Sequence, residues 1–146
     1  MKQYAKNACG TIALFHIVMN NIYDYPDLVK ETSYFSKFAE ESFGKTPAEI
    51  GEGFRLNKDL LQKHRESVKK GQTKVSSKVE THFIAFVEKD GFLYELDGRK
   101  KEPINHGECT PEGLTFMACL VIQKIMQRDP TNNKFTILAL ARKPEF

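Results

Sequence analysis

The dipeptide Asp90-Gly91 lies between two apolar runs, His82-Phe83-Ile84-Ala85-Phe86-Val87 and Phe92-Leu93-Tyr94-Glu95-Leu96-Asp97, and no other stretch constrains the fold as tightly. Asp-Gly between two such runs predicts a hairpin closed by a two-residue type I′ turn. A turn of set length sets the register, and the register decides which face each side chain occupies. Pairing Lys89 with Phe92 and counting outward puts Ile84 opposite Asp97 and His82 opposite Arg99. His82, Ile84 and Asp97 then share a face, with His82 and Asp97 as diagonal neighbours within reach of an imidazole–carboxylate hydrogen bond. Both runs carry apolar residues on both faces, so the hairpin is expected inside a sheet covered on two sides.

A carboxylate that accepts from one ring nitrogen selects the tautomer and leaves the other nitrogen free as a base. The nucleophile to match it is Cys9. Asn7-Ala8-Cys9-Gly10-Thr11 opens an apolar run through Ile12, Leu14, Phe15, Ile17, Val18, Met19 and Ile22. The run is too long for a buried strand and is apolar on more than one face, which predicts a core helix of about four turns. Cys9 stands at its N-terminal end, where free N–H groups and the helix dipole favour a thiolate. Gly10 leaves room for a substrate backbone. Cys109 lies beside a helix start with no base placed for it, and Cys119 reads as packing in mid-helix. Among the remaining histidines, His16 reads as a satisfied core residue, His64 as exposed, and His106 as part of a turn, Asn105-His106-Gly107.

Elsewhere, a second helix is expected over residues 33–42, with Tyr34, Phe35 and Phe38 inward. Thr46-Pro47-Ala48-Glu49 is a capping box that starts a third helix, with a break expected near Gly51 and Gly53. Residues 57–68 form a fourth helical stretch with Leu60, Leu61, His64 and Val68 on one face. Residues 69–80 lack apolar periodicity and are a candidate flap. Thr110-Pro111 starts a last helix whose stripe is Leu114, Ala118, Val121, Ile122 and Ile125 and which Asp129-Pro130 stops; residues 135–141 read as a final strand. Helices first, then a mostly antiparallel sheet with one inserted helix, is an α+β architecture.

A length of 146 residues, 40% of them hydrophobic, suits one soluble domain, and the net charge of +3 is small. The basic cluster from Lys63 to Lys78 holds no aromatic residue, which disfavours a nucleic-acid surface. No apolar stretch is long enough for a membrane span. The three cysteines have no metal-ligand spacing, so reduced thiols, a cytoplasmic location and neither metal nor cofactor are expected.

Gln3 and the run Asn7-Ala8-Cys9-Gly10-Thr11-Ile12 resemble the nucleophile motif of the ubiquitin C-terminal hydrolases, which are papain-like cysteine proteases. His82-Phe83-Ile84-Ala85, Leu93-Tyr94-Glu95-Leu96-Asp97-Gly98-Arg99 and Pro103-Ile104-Asn105-His106-Gly107 resemble the same family's histidine and aspartate motifs. The resemblance runs the length of the chain and implies a papain-like α+β fold, a single catalytic domain over residues 1–146, and ubiquitin or a ubiquitin-like protein as partner. It also implies roles: Cys9 attacks the carbonyl at ubiquitin's C-terminal glycine, His82 moves the proton, Asp97 orients His82, and the Gln3 amide donates to the oxyanion. Residues 61–79 resemble the family's crossover loop, which straddles the cleft and limits leaving-group size. The family carries a substantial segment before its nucleophile motif, whereas only eight residues precede Cys9 here. A truncated domain lacking its first strands is therefore expected, with an open sheet edge, and a monomer once complete. The competing expectation is a non-enzymatic fragment that binds ubiquitin or complements a separate N-terminal piece.

Overall fold

The computed structural model describes residues 1–70 and 81–141. Asn7, at φ +55°, takes a left-handed conformation that asparagine tolerates, and the chain then enters α1 (Cys9–Asn21). A 3-10 turn at Pro26–Leu28 leads to α2 (Tyr34–Ser42), capped by Ser33, whose hydroxyl accepts the Ser36 N–H at 3.1 Å. In α3 (Pro47–Leu56) the capping box is complete, with Thr46 Oγ1 accepting from the Glu49 N–H and Glu49 Oε2 from the Thr46 N–H. Asn57 Oδ1 accepts the Leu60 N–H at 3.0 Å, at the start of α4 (Lys58–Lys70). Phe15, Phe38 and Phe54 meet edge to face, at centroid separations of 4.8, 5.6 and 6.4 Å, and Ala8, Ile12 and Leu60 complete this core. Edge-to-face pairs add about 0.5–1.5 kcal/mol each beyond the area they bury.

The expected break in α3 does not occur. Gly51 is buried within the helix, and a Cβ there would lie 2.2 Å from the Lys2 carbonyl oxygen. This glycine serves a close approach of backbone to helix, and its propensity cost of about 1 kcal/mol is too small to end a capped helix.

The sheet has order β1-β2-β3, all antiparallel, from β1 (Ala85–Lys89), β2 (Phe92–Leu96) and β3 (Ile104–Glu108). Its register is the expected one, Lys89 opposite Phe92 and Ala85 opposite Leu96, with Asp90 and Gly91 at φ +53° and +83°. Ala85 and Val87 are buried on one face, and Leu93 and Glu95 on the other. Residues 82–84 stay outside the ladder, so β1 is shorter than its apolar run.

β3 corrects the reading of residues 105–107 as a turn. Between Phe92–Glu108 and Tyr94–Asn105 the pairing shifts by one, and Gly107 takes φ +105° where the extra residue is absorbed. The turn-like composition belongs to a bulge within a strand.

α1 packs against β1, and α5 (Leu114–Met126) touches β1 and β2. No residue of α5 is buried, so its expected stripe is only half covered. Residues 135–141 form no strand, and Leu138 is 81% exposed. Alternating apolar residues give a strand its faces but not a hydrogen-bonding neighbour, and among the described residues nothing pairs with this segment. Of the expected crossover segment, residues 61–70 continue α4, while residues 71–79 lie outside the described residues.

Candidate active site

Residues 1–5 run between two glycines. Lys2 donates its N–H to the Pro47 carbonyl at 2.9 Å, and Gln3 donates its N–H to the Gly98 carbonyl at 2.8 Å. A Cβ at Gly98 would lie 2.8 Å from Gln3 Cβ and 2.9 Å from Ile12 Cγ2. The missing side chain at Gly98 thus lets Gln3, α1 and the residue after Asp97 converge. The Gln3 amide nitrogen donates to the Ala5 carbonyl at 3.2 Å and has a second N–H left over. Gln3, Tyr4, Ala5, Lys6, Asn7 and Arg99 line an open pocket of about 520 Å³ beside it.

Cys9 is the first residue of α1 and is buried. Ala8 precedes it with no side chain able to cap the helix, so no side-chain cap competes for the first N–H groups. An uncapped, buried N-terminus suits an anion such as a thiolate or an oxyanion. A Cβ at Gly10 would sit 3.5 Å from Phe83 Cδ2, which puts the start of α1 against the residue next to His82.

His82 Nε2 donates to Asp97 Oδ1 at 2.8 Å. The other ring nitrogen, Nδ1, is buried and has no hydrogen-bond partner. Burial alone would raise the Asp97 carboxyl, but hydrogen bonds from the Arg99 N–H at 2.8 Å and from His82 hold it below its ordinary value. With Nε2 donating to an ionised Asp97, Nδ1 carries the ring's lone pair and is the unsatisfied atom, able to accept a proton.

Of the four residues singled out from sequence, His82 and Asp97 are in direct contact, and Gln3 joins them through Gly98. For Cys9 the link is one residue removed on each side, since Gly10 faces the ring of Phe83, which follows His82. The rival thiol is poorly placed. Cys109 is raised by burial and then by Glu88, and its Sγ donates to the Thr110 carbonyl at 3.3 Å. Cys119 lies half-buried on α5. His16 is buried, with Nε2 3.0 Å from the Met1 amine, and burial followed by that amine lowers it to about 4. His64 is not exposed as expected but half-buried, hydrogen-bonded through Nδ1 to Thr11 Oγ1 at 2.7 Å. His106 pairs with Glu95 on the sheet face that carries Asp97. The sequence reading missed Gly51, Gly98 and Glu95; only the Asp97-Gly98 pair carried a local signal, as a turn.

Among the described residues no cluster of His, Cys, Asp and Glu could hold a metal, and no helix is long and apolar enough to cross a membrane. The model of the family described as ubiquitin carboxyl-terminal hydrolase, family 1, matches residues 1–127. A probable ubiquitin carboxyl-terminal hydrolase of Dictyostelium discoideum is 37% identical over 99% of this chain and 57% of its own length. A Drosophila melanogaster ubiquitin carboxyl-terminal hydrolase is 39% identical over 96% and 61%. The chain therefore spans about three fifths of these relatives. The UCH37 catalytic domain of Trichinella spiralis, solved bound to ubiquitin vinyl methyl ester, superposes with a TM-score of 0.70 at 22% identity, covering 92% of this chain and 58% of that one.

Proposed function

The chain belongs to ubiquitin carboxyl-terminal hydrolase family 1, and we propose that it carries a cysteine-type hydrolase site for adducts at the C-terminal glycine of ubiquitin. The observation that carries this reading is the His82–Asp97 bond at 2.8 Å, with the opposite ring nitrogen buried and unpartnered, beside the helix that begins at Cys9. His82 Nδ1 takes the proton of the Cys9 thiol, and the thiolate attacks the glycine carbonyl carbon. The developing oxyanion receives the Cys9 N–H and the free N–H of the Gln3 amide. The imidazolium, stabilised by Asp97, then gives its proton to the leaving amine, and a water activated by His82 hydrolyses the thioester. The bound ubiquitin vinyl methyl ester of the Trichinella spiralis domain supports ubiquitin as the acyl partner.

The test is reaction of the chain with ubiquitin bearing a C-terminal electrophile. We expect one covalent adduct, on Cys9, which Cys9→Ala removes while circular dichroism stays unchanged. No adduct, or an adduct on Cys109, overturns the assignment.

A further inference from the structure

The hairpin face that carries Asp97 also holds a second imidazole–carboxylate pair. Glu95 lies two residues before Asp97 and therefore on the same face. Ile104 is opposite Glu95, so His106, two residues further on, is its diagonal neighbour. His106 Nε2 donates to Glu95 Oε2 at 3.0 Å, and the Lys100 ammonium donates to Oε1. Phe86, opposite Glu95 on β1, covers the His106 ring with centroids 6.0 Å apart. The Glu95 side chain is 5% exposed, and a carboxylate so buried is tolerated only when paired, as both its oxygens are.

Lys100 makes this pair relevant to the site. Its backbone N–H donates to the Asp97 carbonyl at 3.0 Å and closes the turn over residues 97–100. Inside that turn Asp97 Oδ1 accepts from the Arg99 N–H and from His82, and the Gly98 carbonyl accepts from the Gln3 N–H. The Lys2 ammonium donates to the Lys100 carbonyl, adding a second tie from the segment that carries Gln3. A short turn held by one backbone bond opens readily; one whose last side chain grips the preceding strand does not.

We propose that Glu95 is a positioning residue: through Lys100 and His106 it clamps the 97–100 turn onto the sheet, aligning Asp97 with His82 and the Gly98 carbonyl with Gln3. This rests on reading Cys9, His82, Asp97 and Gln3 as the hydrolase site. Glu95 touches no reacting atom, so its effect passes through Asp97 and Gln3.

Glu95→Gln in the full chain tests it. Amide hydrogen exchange at Gln3, Arg99 and Lys100 should accelerate about tenfold or more, while Ile12 and Ile50, whose N–H groups bond within helices, keep their rates. With a fluorogenic C-terminal ubiquitin amide, kcat should fall about tenfold at unchanged KM. In an Asp97→Asn background the same substitution should cost little more, because the group it aligns is already lost. If Glu95→Gln does not fold, Lys100→Met, which alters a half-exposed side chain, opens the same clamp. Unchanged exchange in the turn, exchange accelerated equally in helices and turn, or a full additional loss on top of Asp97→Asn each overturns the clamp. A chain inert toward ubiquitin adducts would sink the hydrolase reading alone, and the exchange pattern would then decide the clamp by itself.

Discussion

The helical cluster around Phe15, Phe38 and Phe54 and the α5 region have comparable apolar content but opposite fates. In the first, Phe54 and Ile12 are 1% exposed and three aromatic rings meet edge to face. In the second, no residue of α5 is buried, Phe116 is 67% exposed, and Leu138 and Ile137 in the following segment face solvent. α1, α2 and α3 each find another helix or a strand against their apolar residues. α5 is apolar nearly all round, and among the described residues it packs mainly against β1 and β2. Apolar content is a capacity to pack; burial also requires a neighbour in the right place. Every candidate site residue lies on the packed side of this contrast, on α1, on the segment before it, or on the hairpin.

Substitutions can sharpen or break that contrast. The largest effect is expected from Asp97→Asn, a loss of kcat on the order of 10³-fold with little change in KM. The amide presents the wrong group to His82, and steady-state kinetics would detect it. An unchanged kcat would reduce Asp97 to a turn residue. Next comes Phe54→Ala, which leaves a void between two other rings and should lower stability by about 3–5 kcal/mol. Urea denaturation measures it, and a loss below about 1 kcal/mol would mean that the helical cluster is no better packed than α5.

Acid should act on the packed side as well. His16 is lowered to about 4, by burial first and by the Met1 ammonium second, so the fold prefers it neutral. Its folded value lies below its unfolded value of 6.5, and its neutral burial contributes fully above pH 6.5. That contribution is lost as pH falls from 6.5 towards 4, for a total of about 3 kcal/mol. Urea midpoints measured at pH 7 and pH 4.5 should show the loss, and His16→Gln should flatten it. A slope equal in wild type and His16→Gln would assign the acid sensitivity elsewhere. The smallest effect is expected on the exposed side, where Phe116→Ser and Leu138→Ser should change stability by no more than about 0.5 kcal/mol. A larger loss would show that α5 and residues 135–141 are packed in solution.

Much of the site was legible because its signals are local. Thr46 and Glu49 announce a helix start through a reciprocal pair three residues apart. Asp90-Gly91 carries the register by itself, since few residue pairs accept positive φ at both turn positions. That register and the alternation of faces, carried past the end of the ladder, point His82 and Asp97 toward each other, and the two are in contact although residues 82–84 do not pair. The misses share the opposite property. Residues 105–107 look like a turn until β2 pairs with them, and residues 135–141 look like a strand until no partner is found.

What the sequence determined by itself, then, is whatever depends on spacing along the chain: the capped third helix, the hairpin and the shared face of His82 and Asp97. Only the tertiary structure decided that Gly51 and Gly98 are openings through which residues 2 and 3 pass, that Lys100 reaches back to Glu95, and that α5 stays half uncovered. The physical reason is range. Capping, turn strain and strand alternation act over two to four residues, whereas a close approach or a buried ion pair has an energy only when a distant segment arrives to complete it.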